Sequence, residues 1–181
     1  QNCTKMVRAE VPFTVTWMDD YSFYGCTNIQ KLRLHEGLKQ MDPFSASHIN
    51  ALTTLTIPAS TDSISGTFVN YSDGLSRILV ENGNTKYTSI GGVLYSKDRK
   101  HLIAFPHALS TSYNVPSGTQ VIGSSAFRGA AALEEINLPT SLKKIDSSAF
   151  FDNSSLTEIV VPKGVERIEN NAFSKTGLTS A

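Results

Sequence analysis

The sequence predicts a repeat solenoid, a coil of short parallel strands joined by turns and carrying one inserted β-hairpin. Two observations predict it. Phe127, Phe150 and Phe173 close the phrases QVIGSSAF, KKIDSSAF and ERIENNAF and stand 23 residues apart, and a fixed spacing in this range marks stacked structural units. Pro116, Pro139 and Pro162 keep the same spacing, as do Pro12, His35, Pro58 and Glu81. The step from Glu81 to Pro116 is 35 residues, one period plus twelve, so a single inserted segment interrupts a regular array. The seven marker positions predict about seven coils.

With the proline as marker, apolar columns run the length of the chain. Six residues before it stand Met6, Ile29, Leu52, Leu75, Leu133 and Leu156. Three before stand Ala9, Leu32, Leu55, Ile78, Ile136 and Ile159, and one before stand Val11, Leu34, Ile57, Val80, Leu138 and Val161. Six after stand Met18, Met41, Ile64, Ile122, Ile145 and Ile168. Each unit therefore reads LxxIxLPxxLxxIxxxAFxxxxx. The LxxIxL stretch alternates as a strand with one face inward. The proline ends it because it has no N–H to donate to a ladder, and the SSAF-like phrase is predicted as a short helical turn. One coil cannot bury its own apolar side, so the coils must stack and pair their strands in parallel. At about 4.8 Å per rung the stack is on the order of 35 Å long. The AF phrase is degraded in the second and third coils, where Phe44 and Phe68 leave the frame, and FSKTGLTSA stops before its strand.

The inserted segment, near 88–110, contains GGVLYS, KDRK and HLIAFP. It reads as two alternating strands around a polar turn, hence a hairpin, and Gly91 and Gly92 allow a sharp exit from the solenoid. Lys97, Arg99, Lys100 and His101 make the tip basic. The tip is read first as a solvated turn and second as a contact loop, since insertions in repeat arrays often carry function.

LEEINLPTSLKKIDSSAF (133–150) and LTEIVVPKGVERIENNAF (156–173) resemble the repeats of the BspA-like (Treponema-type) leucine-rich repeat family. YTSIGGVLYSKDRKHLIAFP (87–106) is similar to the hairpin that interrupts many of its members. The resemblance covers essentially the whole chain. It implies a right-handed leucine-rich-repeat coil in a secreted or surface-anchored bacterial or protist protein that binds host or microbial proteins.

Length and charge narrow the classes further. The 181 residues carry sixteen basic and sixteen acidic side chains. That length suits one solenoid domain, 1–181. A zero net charge argues against a nucleic-acid or membrane-surface binder, and no apolar run approaches the roughly 18 residues of a membrane span. Gln1 stands inside a repeat, so the chain is expected to be trimmed from a longer one, with any lipid anchor in a missing N-terminal segment. Open solenoid ends would then invite self-association.

Chemistry-bearing residues are few. Asp19, Asp42, Ser65, Gly123, Asp146 and Glu169 share the column seven after the marker. Carboxylates on adjacent rungs, about 5 Å apart, have the separation of a retaining glycosidase. The same acids also fit N-caps of the predicted helical turns, the favoured reading, with Pro43 placed as a first helical residue. Cys3 and Cys26 share a column and are expected as free, buried thiols, close enough for a disulfide but with side chains pointing the same way. They offer no zinc site without histidine. His35, His48, His101 and His107 are scattered, and no cofactor or metal is expected. Asn2, Asn70 and Asn153 lie in glycosylation sequons, relevant on a eukaryotic secretory route.

The outward strand positions are the candidate protein-binding face: Arg8 and Glu10, Lys31 and Arg33, Thr54 and Thr56, Arg77 and Leu79, Ser112 and Asn114, Glu135 and Asn137, Glu158 and Val160. The first coils are basic there and the last two acidic, a pattern that steers and orients a partner. Tyr21, Tyr24 and Tyr71 are candidate aromatic anchors near the turns. The expected function is a non-catalytic recognition or adhesion module, extracellular or on a cell surface, binding an extracellular or host protein. A polysaccharide-acting or polysaccharide-binding protein and a structural, self-associating spacer are the alternatives.

Overall fold

The computed structural model describes residues 1–179 as a parallel β-solenoid. Its strands are β1 (Arg8–Val11), β2 (Trp17–Met18), β3 (Lys31–Leu34), β4 (Gln40–Met41), β5 (Thr54–Ile57), β6 (Ser63–Ile64), β7 (Arg77–Val80), β8 (Tyr87–Ile90), β9 (Val93–Ser96), β10 (His101–Ala104), β11 (Ser112–Asn114), β12 (Val121–Ile122), β13 (Glu135–Asn137), β14 (Lys144–Ile145) and β15 (Arg167–Ile168).

Two ladders run along the stack. The first comprises the LxxIxL strands: β1 pairs with β3, β5 with β7 and β11 with β13, all in parallel. Registers such as Ala9↔Leu32 and Leu55↔Ile78 put each column residue beside its equivalent one period on. The second ladder, five and six residues after the marker, is narrower. It pairs β2, β4 and β6, then β12, β14 and β15. The +6 column falls inside it, and Met18, Met41, Ile122 and Ile145 are buried.

The short helical turns are not found; among the described residues no segment is helical. The cause lies in where the backbone amides go. Phe127 N donates to Ala149 O and Phe150 N to Ala172 O, both at 2.8 Å, so turn amides bond to the next coil and not up their own helix. Isolated bonds three residues apart, such as Ala149 N to Asp146 O at 3.2 Å, supply the curvature. Two turn columns hold left-handed residues. Tyr21, Phe44, Ser125, Ser148 and Asn171 form one, and Asn2, Gly25, His48, Tyr71, Gly129, Asp152 and Lys175 the other. Glycine accepts that conformation at no steric cost, while the others are held in it by the stacking.

The insertion is a three-stranded antiparallel meander, not a two-stranded hairpin that leaves the solenoid. β8 pairs with β9 through Tyr87↔Ser96 to Ile90↔Val93, turning at Gly91 and Gly92. β9 pairs with β10 through Tyr95↔Leu102 and Leu94↔Ala104. β10 then lies parallel to β12, with Leu102↔Ile122, and becomes a rung of the second ladder. Val93, Leu94, Tyr95 and Leu102 are fully buried. Leu94 and Ala104 join the apolar cluster of the first coils, whereas Val93, Tyr95, Leu102 and Phe105 join that of the last. The insertion is therefore a wall shared by two cores.

Candidate functional site

Alternation along the first ladder decides which side chains face water. In β3 the pattern is exposed, buried, exposed, buried from Lys31 to Leu34. Arg8, Glu10, Lys31, Arg33, Thr54, Arg77, Ser112, Asn114, Glu135, Asn137 and Glu158 are exposed, and Thr56 is half-buried. Two large apolar side chains share the face, Leu79 at 41% and Val160 at 73% exposure.

The insertion joins the face at β7. Arg77 N donates to Thr53 O on one side of β7, and Ile78 N donates to Gly92 O at 2.7 Å on the other. Ser89 Oγ also donates to Ile78 O at 2.6 Å. The Ser89–Gly92 turn thus occupies the rung after β7. A Cβ on Gly92 would stand 3.3–3.6 Å from Arg77 atoms, so the bare residue lets the turn close on the strand.

Charge divides the face into two halves, each with an open groove. Lys31, Arg33, Thr54, Thr56 and Glu81 border one of about 450 Å³. Glu134, Glu135, Asn137, Glu158 and Val160 border another of about 660 Å³. Beside the basic groove Glu36 and Glu81 share a hydrogen bond, which holds the Glu36 carboxyl below the usual range and Glu81 above it. Glu36 further accepts from Ala59 N at 2.8 Å and Ser60 N at 3.0 Å, one coil on. Glu10 pairs with His35 across neighbouring coils.

With no helical turn to cap, the acid column is not a row of N-caps, which corrects the favoured reading, although Asp19 accepts from the Asp20 backbone N–H at 2.8 Å. Asp42 accepts from Trp17 Nε1 at 2.6 Å and Gln40 Nε2 at 2.7 Å. Lys144 Nζ lies 2.6 Å from Asp146 and 2.8 Å from Glu169, joining the two rungs. That ammonium, then the Ser147 hydroxyl, holds the Glu169 carboxyl below its usual range, and the two carboxylates hold Lys144 above its own. A Glu169 carboxyl held down in this way is not the raised carboxylic acid that glycoside cleavage needs. Asp19, Asp20 and Asp42 lie close together, but no buried ligand atom points into the group.

Other candidates fall in varied surroundings. At the basic tip Lys97, Arg99 and Lys100 are exposed, while Asp98 accepts from Ser96 Oγ at 2.6 Å and Lys100 N at 3.1 Å and folds the turn tightly. His101 is half-buried, and burial depresses its pKa despite Asp146 at 3.9 Å. Both cysteines are free as expected, but Cys3 is exposed, and only Cys26 is buried. Asn70 and Asn153 are buried, so of the three sequons only Asn2 has an exposed acceptor.

An aromatic row along the turns was legible only as scattered tyrosines. Tyr24 and His48 have centroids 4.5 Å apart, His48 and Tyr71 5.0 Å, and Tyr21 stacks on Phe44 at 5.3 Å. Arg128 continues the row, 4.5 Å over the Phe151 ring. The 23-residue step from His48 to Tyr71, with Tyr24 beside the preceding place in that column, was the one signal in the sequence that pointed to it.

A family model described as BspA type leucine rich repeat region matches residues 1–98 and 103–181, in 6 copies. Among solved structures, the pneumococcal vaccine antigen PcpA is similar at a TM-score of 0.76 and 26% identity, over 91% of this chain and 47% of that one. A leucine rich cell surface protein from Faecalibacterium prausnitzii A2-165 gives 0.71 and 23%, over 95% and 52%. A leucine-rich repeat protein from Eubacterium ventriosum ATCC 27560 gives 0.50 and 18%, over 99% and 79%. The chain spans about half the length of the first two. No curated protein matches it in sequence.

Proposed function

The chain belongs to the BspA-type leucine-rich repeat family, and on that premise we propose that it is a non-catalytic recognition module of a cell-surface or secreted protein, binding a protein partner through its exposed strand face. The observation that carries the reading is the face itself: stacked strands with Arg8, Lys31, Arg33 and Arg77 exposed toward one end and Glu134, Glu135 and Glu158 toward the other. A rigid ladder loses little conformational freedom on binding, and separated charges orient what lands on it. The surface location draws support from a structural relative that is a vaccine antigen. Neutralisation of the acid column by Lys144 favours recognition over polysaccharide cleavage.

The test is a binding screen of the purified chain against extracellular matrix proteins, plasma proteins and polysaccharides, with product release monitored in the same wells. Saturable, salt-sensitive protein binding that Lys31→Glu with Arg33→Glu abolishes supports the reading. Sugar cleavage lost in Asp146→Asn would replace it with an enzyme.

A further inference from the structure

The two charged halves of the strand face are arranged for each other. Along the stack the rungs run β1, β3, β5, β7, the Ser89–Gly92 turn, β11, β13 and the Glu158 bridge. The Ser89–Gly92 turn separates the exposed cations Arg8, Lys31, Arg33 and Arg77, with Glu10 beside them, from the exposed acids Glu135 and Glu158. Arg8 and Lys31 stand first and second from one end, Glu158 and Glu135 first and second from the other, and each occupies the same position within its strand. The two interior rungs, β5 and β11, present only neutral Thr, Ser and Asn.

From this order we infer that the partner of the strand face is a second copy of the chain, docked face to face about a two-fold axis parallel to the strands. The inference rests on the recognition reading above and names its partner. That axis reverses the rung order, so Arg8 meets Glu158 and Lys31 meets Glu135 of the other copy, twice each by symmetry. The alternative axis, along the solenoid, lays each rung antiparallel on its own equivalent, Lys31 against Arg33 in the cationic half, so the charges disfavour that pairing as well as selecting the first. Eight rungs of four residues cover on the order of 500 Å² per copy, the range of weak, reversible contacts. The dimer is therefore concentration- and salt-dependent.

Sedimentation velocity of the whole chain, from low micromolar to millimolar at low and high salt, tests it with Lys31→Glu, Glu135→Lys and their equimolar mixture. The wild type is expected to dimerise at low salt and dissociate as salt rises. Each reversal alone should weaken the dimer at least tenfold while leaving the thermal melt in place. The mixture should restore it, because each variant's altered residue then meets its opposite charge. A wild type that stays monomeric throughout, a dimer indifferent to both reversals, or a mixture that does not recover would overturn the pairing. If the monomeric chain nonetheless binds a screened protein with Lys31-sensitive affinity, self-pairing fails while the recognition reading stands.

Discussion

The two halves of the solenoid fill one column with different residues and remain equally regular. In the last coils Phe127, Phe150 and Phe173 occupy the place eleven after the marker, and with Phe105 they stack inside at 4.8, 5.0 and 5.4 Å. In the first coils that column reads Phe23, Ala46 and Val69. Buried Phe68 fills the interior from the neighbouring position, and the stacked rings have moved to the turn surface, through Tyr24, His48 and Tyr71. A rung step near 5 Å suits ring stacking wherever a column of rings forms. The period therefore demands continuity between coils, not a particular place for the aromatics. The consequence is chemical: the outer row of the first half contains an ionisable ring, whereas the inner row of the second does not.

The sharpest way to break the second half is charge. Ile145→Asp puts a carboxylate where no water reaches, an expected loss of more than about 4 kcal/mol that should abolish the cooperative thermal melt followed by circular dichroism. A melt at the wild-type temperature would contradict the burial. Phe150→Ala opens the inner row and is expected to cost about 3–5 kcal/mol in urea unfolding. Its counterpart, Ala46→Phe, should overpack the first half by about 1–3 kcal/mol. A neutral Ala46→Phe would mean that the halves are interchangeable.

Acid should separate the halves next. Burial depresses the His48 pKa, outweighing Asp73, and His107 pushes the same way. The unfolded chain then takes up the proton first, so stability is full above the ordinary histidine pKa and falls as pH drops from about 6.5 toward the folded value. The melting temperature of the wild type should decline over that window more than that of His48→Asn, a residue that tolerates the left-handed backbone there. Equal declines would remove His48 from the account. The smallest effect belongs to the exposed face. Lys31→Glu with Arg33→Glu should move stability by no more than about 0.5 kcal/mol, so a large drop in the urea midpoint would show that the face is structural.

Much of this was legible because a repeat states its own contacts. Apolar columns 23 residues apart became the observed strand registers, Ala9 beside Leu32 and Ile145 beside Ile168. The outward strand positions were equally readable, since alternation leaves no other side for Lys31 or Glu135. What failed were inferences from single segments. SSAF looked like a helix start, but its amides had partners in the next coil that a one-coil reading does not see. GGVLYS and HLIAFP looked like an excursion. Their alternation was real, yet both faces of β9 are buried, one in each core. The tilted row of His48 and Tyr71 stayed hidden because residues other than glycine rarely adopt a left-handed backbone, and nothing local marks where stacking will impose it.

The shared wall is the claim on which the comparison rests, since it makes one array of two differently packed halves. Amide hydrogen exchange read by mass spectrometry on peptides covering 93–105 tests it most directly. Protection equal to that of the β4 and β14 peptides, lost with them in one step as denaturant is added, is the expected result. Early exchange of 93–105, while the coils on either side stay protected, would show that the insertion is an ornament on a solenoid that closes without it.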